Sequence, residues 1–153
     1  MIKGLLFDLD GVLVDTKEMH FLALNEALKL CKSKNYISYD DHAKNFDGLP
    51  TAQKLKILNK RKWLKKSKNE KVKKLKQKIT EDLLKKNIKK NKETLSLFKK
   101  LKKKYKIAIA TNAVRATLDI CIDKLGIKKF VDFNISNQDV KNNKPHPEIY
   151  LKC

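Results

Sequence analysis

The chain is almost without arginine. Only Arg61 and Arg115 are arginines among 37 basic side chains, so lysine carries the formal net charge of +20. Proteins that read bases and phosphates favour the forked guanidinium, which grips two acceptors at once. Its scarcity argues against nucleic acid as the main partner, although a charge of this size attracts anions in general. The lysine segments are also rich in Asn and Ile, a bias that a genome poor in G and C produces. No apolar run approaches the roughly 20 residues that a membrane helix needs. The start MIKGLLFDLD does not read as a secretory signal, because Asp8 and Asp10 break its apolar stretch. Cys31, Cys121 and Cys153 are odd in number and form no CxxC pair. That points to a reducing interior, with the cytoplasm as the default location.

What is present suffices for a core: 153 residues, 41% of them apolar, fit one domain or a small domain with an insertion. Residues 2–9 form a short apolar run ending in Asp8, Asp10 and Gly11, which reads as a buried parallel strand entering a loop. From Lys17 to Leu30 the apolar positions mark a helix with a broad apolar face. A further helix is expected near Asp40, a turn at Asp47-Gly48-Leu49-Pro50, and another helix from Thr51. Val72, Leu75, Ile79, Leu83 and Leu84 then recur at helical spacing in a lysine-rich stretch. Residues 93–103 read as a helix, 105–110 as a second buried strand, and 113–125 as a helix stopped by Gly126. Residues 131–136 give a third strand, and Glu148 opens a last helix behind Pro147. This order implies an α/β fold: a Rossmann-like parallel sheet with a helical insertion after its first strand.

In open parallel sheets, ligands bind beyond the carboxyl ends of the strands. Three polar groups are expected there: Asp8 with Asp10, Thr111 with Asn112, and Lys144 beyond the third strand. Two carboxylates one residue apart repel unless a cation lies between them, so Mg²⁺ is their natural companion. A carboxylate can attack phosphorus and form an aspartyl-phosphate. A hydroxyl and an ammonium opposite it can hold the phosphoryl oxygens as charge redistributes. Gly11 lets the backbone turn tightly after the strand.

The motifs DxDGVLxDT, TN after an apolar strand, and KPHPEIY together resemble the haloacid dehalogenase superfamily, and more narrowly its helical-cap phosphatase and beta-phosphoglucomutase group. The resemblance covers nearly the whole chain. It implies a core of residues 1–16 and 91–153 and a cap of residues 17–90. It implies that Asp8 is the nucleophile and a metal ligand. Asp10 becomes the general acid and base, with its backbone carbonyl on Mg²⁺. Thr111 and Lys144 become the catalytic groups on the phosphate side, with Gly11 and Asn112 around the phosphate. Thr16 falls at the cap hinge, His20 at a cap position near the substrate, and Gly48 in a substrate-specificity loop. His42 carries no motif, and Trp63 reads as a core anchor of the cap.

Two departures qualify what the resemblance implies. The family's fourth motif, one or two acidic residues at the end of another strand, is not found before Cys153, so the core is expected to be incomplete. The first strand would then lie at an uncovered edge that invites self-association. Mutase caps also place an arginine after the glycine turn, where this chain has Leu49-Pro50-Thr51. The expected activity is therefore Mg²⁺-dependent hydrolysis of a small phosphorylated metabolite, such as a phosphoglycolate-like or sugar-phosphate-like monoester. The alternatives are a beta-phosphoglucomutase-like phosphotransferase and a non-catalytic relative that binds anions or a partner through its lysine-rich helices.

Overall fold

In a computed structural model describing residues 1–153, the chain divides into two compact units. One comprises Met1–Thr16 with Leu84–Cys153, the other Lys17–Leu83. The first unit contains all the strands: β1 (Gly4–Phe7), β2 (Lys106–Ala110) and β3 (Phe133–Ile135), in the order β1-β2-β3. Both pairings are parallel. The central strand is also the most apolar: Ile107, Ala108, Ile109 and Ala110 are all buried, as a parallel strand covered on both faces requires. β1 stands at an edge, with Leu6 half exposed. Its unpaired side is the surface on which the expectation of self-association rests.

The helices of this unit are fixed by local chemistry. Asn91 caps α5 (Lys92–Leu101), its side-chain oxygen accepting from the N–H groups of Glu93 at 2.8 Å and Thr94 at 3.1 Å. Phe98 of α5 is fully buried and packs its ring 5.0 Å from that of Phe7. α6 (Arg115–Leu125) ends at Gly126, whose φ of 73° lets Ile127 N–H reach back to the Ile122 carbonyl at 3.1 Å. A final short helix, α7, covers Glu148–Leu151.

Several boundaries differ from the sequence reading, among them β1, which spans Gly4–Phe7 and not residues 2–9, and two have a local cause. The third strand keeps only three residues because its flanks bond sideways. Asp132 N–H donates to the Ile107 carbonyl, while the Asp132 carboxylate accepts from Ile107 N–H, both at 2.8 Å. At the other end, Ser136 is held by the Asp139 side chain. The helix after β2 begins at Arg115 rather than residue 113, because Ala113 N–H is taken by the Thr111 hydroxyl at 2.9 Å.

The second unit is helical: α1 (Lys17–Leu30), α2 (Tyr39–Asn45), α3 (Thr51–Lys60) and most of α4 (Asn69–Asn87). Its core gathers Leu24 and Leu28 of α1, Phe46, Leu55 and Leu58, and Val72 of α4. Trp63 packs against this core while partly exposed. Arg61 locks the unit from outside: its guanidinium grips the Asp41 carboxylate in two places and lies 5.2 Å over the Phe46 ring and 5.1 Å over that of Trp63. No helix is long and apolar enough to cross a membrane.

Truncating Phe98 to alanine should cost about 3–5 kcal/mol in a urea titration. Asp132 gives a pH test. Its bond from the Lys102 ammonium, then that from Ile107 N–H, hold its carboxyl at about 2 against an ordinary 3.8. A depressed folded value means that the contribution is complete above pH 3.8 and is lost as pH falls through about 2. Asp132→Asn should therefore be less stable than the parent at neutral pH, and the difference should vanish over that window. A pH-independent difference would contradict this account.

Candidate active site

Where β1 ends, the chain coils about one carbonyl. Leu9 is fully buried, and its oxygen accepts from Leu13 N–H at 2.9 Å and Val14 N–H at 3.1 Å. Gly11 makes this coil possible at φ 76°; a Cβ there would meet nothing within 4 Å, so the demand is for backbone freedom and not for space. The coil puts Asp8 and Asp10 into different surroundings. Asp8 accepts from Leu9 N–H at 2.7 Å and pairs with the Lys144 ammonium at 3.0 Å, both through Oδ1. With its side chain 43% exposed, it can be reached from solvent. Asp10 is turned inward, where its carboxylate accepts from the Thr16 hydroxyl and, at 3.4 Å, from the Thr111 hydroxyl. Thr16 and Thr111 are both buried.

Thr111 follows β2 directly. Its oxygen accepts from Ala113 N–H while its proton faces Asp10, so the hydroxyl has a fixed direction. Lys144 arrives on the loop after β3. Its ammonium donates to the Ala110 carbonyl at 2.7 Å and lies 5.3 Å from the centre of the Tyr150 ring. Asn112 clamps the Lys144 main chain from both sides: Lys144 N–H donates to Asn112 Oδ1 at 2.9 Å, and Asn112 Nδ2 donates to the Lys144 carbonyl at 3.1 Å. The loop is stiffened further by Glu148, which accepts from the N–H groups of Lys141 and Asn142, both at 2.9 Å. Those bonds, the Lys141 one foremost, bring its carboxyl down to about 2.

The fold thus brings together six of the sequence-derived candidates: Asp8, Asp10, Gly11, Thr111, Asn112 and Lys144. The other two, His20 and Gly48, belong to the helical unit. There His20 Nδ1 lies 3.2 Å from the Lys76 ammonium, and Gly48 takes φ 70° in a turn whose N–H donates to Asp47 Oδ1. Two features escaped sequence reasoning. Thr16 bonds the Asp10 carboxylate, and Asn112 has Lys144 as its immediate partner. The first could have been suspected from the DxDGVLxDT run; the second had no sequence signal. Asp139, one of the few late acids, is bound by Ser136 and Arg115. Cys121 is fully buried, and burial followed by the charge of Asp10 pushes its thiol up to about 12, so it is no thiolate nucleophile.

This parallel α/β sheet collects two carboxylates, a fixed hydroxyl and a partly buried lysine at its strand ends, which is where open parallel sheets bind ligands. The chain belongs to the haloacid dehalogenase-like hydrolases, whose family pattern it matches over residues 5–153. It is 30% identical to the phosphorylated carbohydrates phosphatase of Thermotoga maritima over 153 residues, covering 98% of this chain and 68% of that protein. Among solved structures it resembles the beta-phosphoglucomutase of Clostridium difficile, with a TM-score of 0.75 and 26% identity over 99% of this chain and 69% of the other. It also resembles a family IA hydrolase of Entamoeba histolytica, with a TM-score of 0.81, 26% identity and coverage of 99% and 68%. Its relatives thus include a phosphatase and a phosphoglucomutase.

The Asn112 clamp has a measurable share in stability. Asn112→Ala leaves a partly buried N–H and carbonyl of Lys144 without partners, and a loss of about 1–3 kcal/mol is expected in urea unfolding. An unchanged midpoint would show that the clamp does not hold the loop.

Proposed function

We propose that this chain is a Mg²⁺-dependent phosphatase that hydrolyses a small phosphomonoester through an aspartyl-phosphate on Asp8. The observation that carries the reading is the difference in surroundings between two carboxylates one residue apart. Asp8 is exposed and has only Oδ1 bonded, so Oδ2 is available to attack phosphorus. Asp10 is held inward by two hydroxyls, one of them on a buried threonine at the end of β2. In the first half-reaction Asp8 Oδ2 bonds to phosphorus as the ester oxygen leaves, and Asp10 gives that oxygen its proton. In the second, Asp10 takes a proton from water, the water oxygen bonds to phosphorus, and inorganic phosphate departs with Asp8 restored. Lys144 and the Thr111 hydroxyl hold the phosphoryl oxygens through both steps. Asn112 sets the position of Lys144.

The donors present fit Mg²⁺ in one particular manner. This ion keeps several waters and binds through one or two carboxylates together with a substrate phosphate. The Asp8 carboxylate, through the oxygen that does not attack phosphorus, and the main-chain carbonyl of Asp10 are oxygen donors of that kind, and no group of three or more His, Cys, Asp or Glu side chains forms a closed cage. When bound, Mg²⁺ would neutralise phosphoryl charge that the lysine alone balances only in part. Substrate choice is assigned to the helical insert of residues 17–90, with His20 and Gly48 as its candidate contributors. The substrate class is a small phosphorylated metabolite, in line with the phosphorylated-carbohydrate activity named for the Thermotoga relative.

Release of p-nitrophenol from p-nitrophenyl phosphate with Mg²⁺ tests the reading. The parent chain should turn over, and Asp8→Asn should lose at least about a thousandfold in rate, as removal of a covalent nucleophile does. Equal rates for the two proteins, or no Mg²⁺-dependent turnover in the parent, would remove the proposal.

A further inference from the structure

Two helices of the helical unit end in the same way. At the end of α1, Ser33 N–H reaches the Leu28 carbonyl at 3.0 Å and Lys32 N–H the Lys29 carbonyl at 2.9 Å. At the end of α3, Trp63 N–H reaches the Leu58 carbonyl and Lys62 N–H the Asn59 carbonyl, both at 3.0 Å. Each double closure needs one left-handed residue, a place that glycine fills without strain. Here lysine fills both: φ is 50° at Lys32 and 58° at Lys62, the two positive-φ residues of the chain that are not glycine.

The two ends are stitched together. The Trp63 carbonyl accepts from Lys34 N–H at 3.1 Å and from the Ser33 hydroxyl at 3.0 Å, and the Lys68 ammonium donates to the Cys31 carbonyl at 2.7 Å. Asn59 adds a bond from its amide to the Leu64 carbonyl at 2.8 Å. Residues of these segments line a cavity of about 390 Å³, a size typical of small-molecule sites. Six lysines line it, Lys32, Lys34, Lys62, Lys65, Lys66 and Lys68, together with Trp63 and no acidic residue. Of the six, only Lys68 has its ammonium bonded within the chain.

Helix carboxyl ends carry about half a negative charge each, so α1 and α3 together offset roughly one of the six positive charges. The remainder meets no carboxylate in the cavity wall. A metal cation is repelled there, and a neutral solute leaves the charge unanswered. A solute with several phosphate groups answers it, and the preset backbone spares the cost of ordering the wall on binding. A nucleic-acid strand calls for aromatic platforms in series along a groove; one tryptophan at one cavity suits a compact solute.

We propose that the junction of α1, α3 and the turn before α4 binds a small anion carrying a chain of phosphate groups. The strain at Lys32 and Lys62 is what it costs to keep two ammonium groups where glycine would remove them.

Trp63 is the only tryptophan of the chain, so its fluorescence reports on this wall directly. The full chain is titrated with tripolyphosphate in the presence of a chelator, against sodium sulfate of equal ionic strength. Tripolyphosphate should change the emission saturably, and sulfate should not. The variant Lys62→Gln/Lys65→Gln/Lys66→Gln should bind at least about tenfold more weakly, since even one charge-assisted hydrogen bond is worth about that factor. Lys100→Gln/Lys103→Gln/Lys104→Gln removes the same charge from α5 and the turn after it, and should bind as the parent does. Lys62→Gly separates binding from folding: it relieves the left-handed position, so the urea midpoint should rise while the affinity falls severalfold. Three results would each overturn the proposal: no saturable change with tripolyphosphate, even if a single-stranded oligonucleotide produces one; equal weakening in the two triple variants; or Lys62→Gly binding like the parent. Adenosine triphosphate in a parallel arm tells two sources apart. Equal or weaker affinity assigns the free phosphate chain, and tighter binding assigns a nucleotide whose base contacts Trp63.

Discussion

Parallel pairing of β1 with β2 places Phe7 opposite Ile109 and thereby makes the two strands end on the same side of the sheet. Asp8 to Asp10 and Thr111 are the next residues along each chain, so the pairing register alone brings carboxylates and hydroxyl within reach of one another. β3 repeats the arrangement beside β2, with Ile135 opposite Ala110, and the loop that follows it returns Lys144 to the Ala110 carbonyl and Asp8. A slip of one residue in either pairing would reverse the side chains and dissolve the group. The alternation of Ile and Ala in β2 opposes that slip, since it would exchange the large side chains of one buried face with the small ones of the other.

Electrostatics then separates one lysine from the rest. Most lysines of this chain are solvated and exchange partners at little cost. Lys144 is largely enclosed, with its main chain clamped by Asn112 and its ammonium shared between a carbonyl and Asp8. Its charge is therefore held against Asp8, and under the proposed mechanism it would face the phosphoryl group without relaxing away as charge develops. Asp10 is organised by other means: its carboxylate accepts from the hydroxyls of two buried threonines, Thr16 and Thr111. The same sequence thereby gives two neighbouring carboxylates distinct surroundings.

Much of this was legible beforehand because it depends on local pattern. The apolar spacing of α1, the Gly126 stop of α6, the apolar run of β2 and the DxDGVLxDT turn can each be read in a window of a few residues. The contacts that define the site's precision are nonlocal. Asn112 and Lys144 lie 32 residues apart, and nothing in either window announces their pairing. Lys54 illustrates the same limit, since a buried lysine is indistinguishable in sequence from the many solvated ones around it. His42 carried no motif, and its burial against the rings of Phe21 and Phe46 is a tertiary contact that no local window announces. The strand β3 was read as longer than it is because residues 131–136 have strand composition, whereas Asp132 and Ser136 spend their bonding groups on side-chain contacts.

The central claim is that Asp8 carries the phosphoryl group. It is tested most directly by acid-quenching the chain during turnover with Mg²⁺ and a phosphomonoester, then locating the modification by peptide mass spectrometry. The account predicts one phosphoryl group on the peptide containing Asp8, released by hydroxylamine as an acyl phosphate is, and absent from Asp8→Asn. Sustained turnover with no label at Asp8, or with the label on another residue, would contradict it.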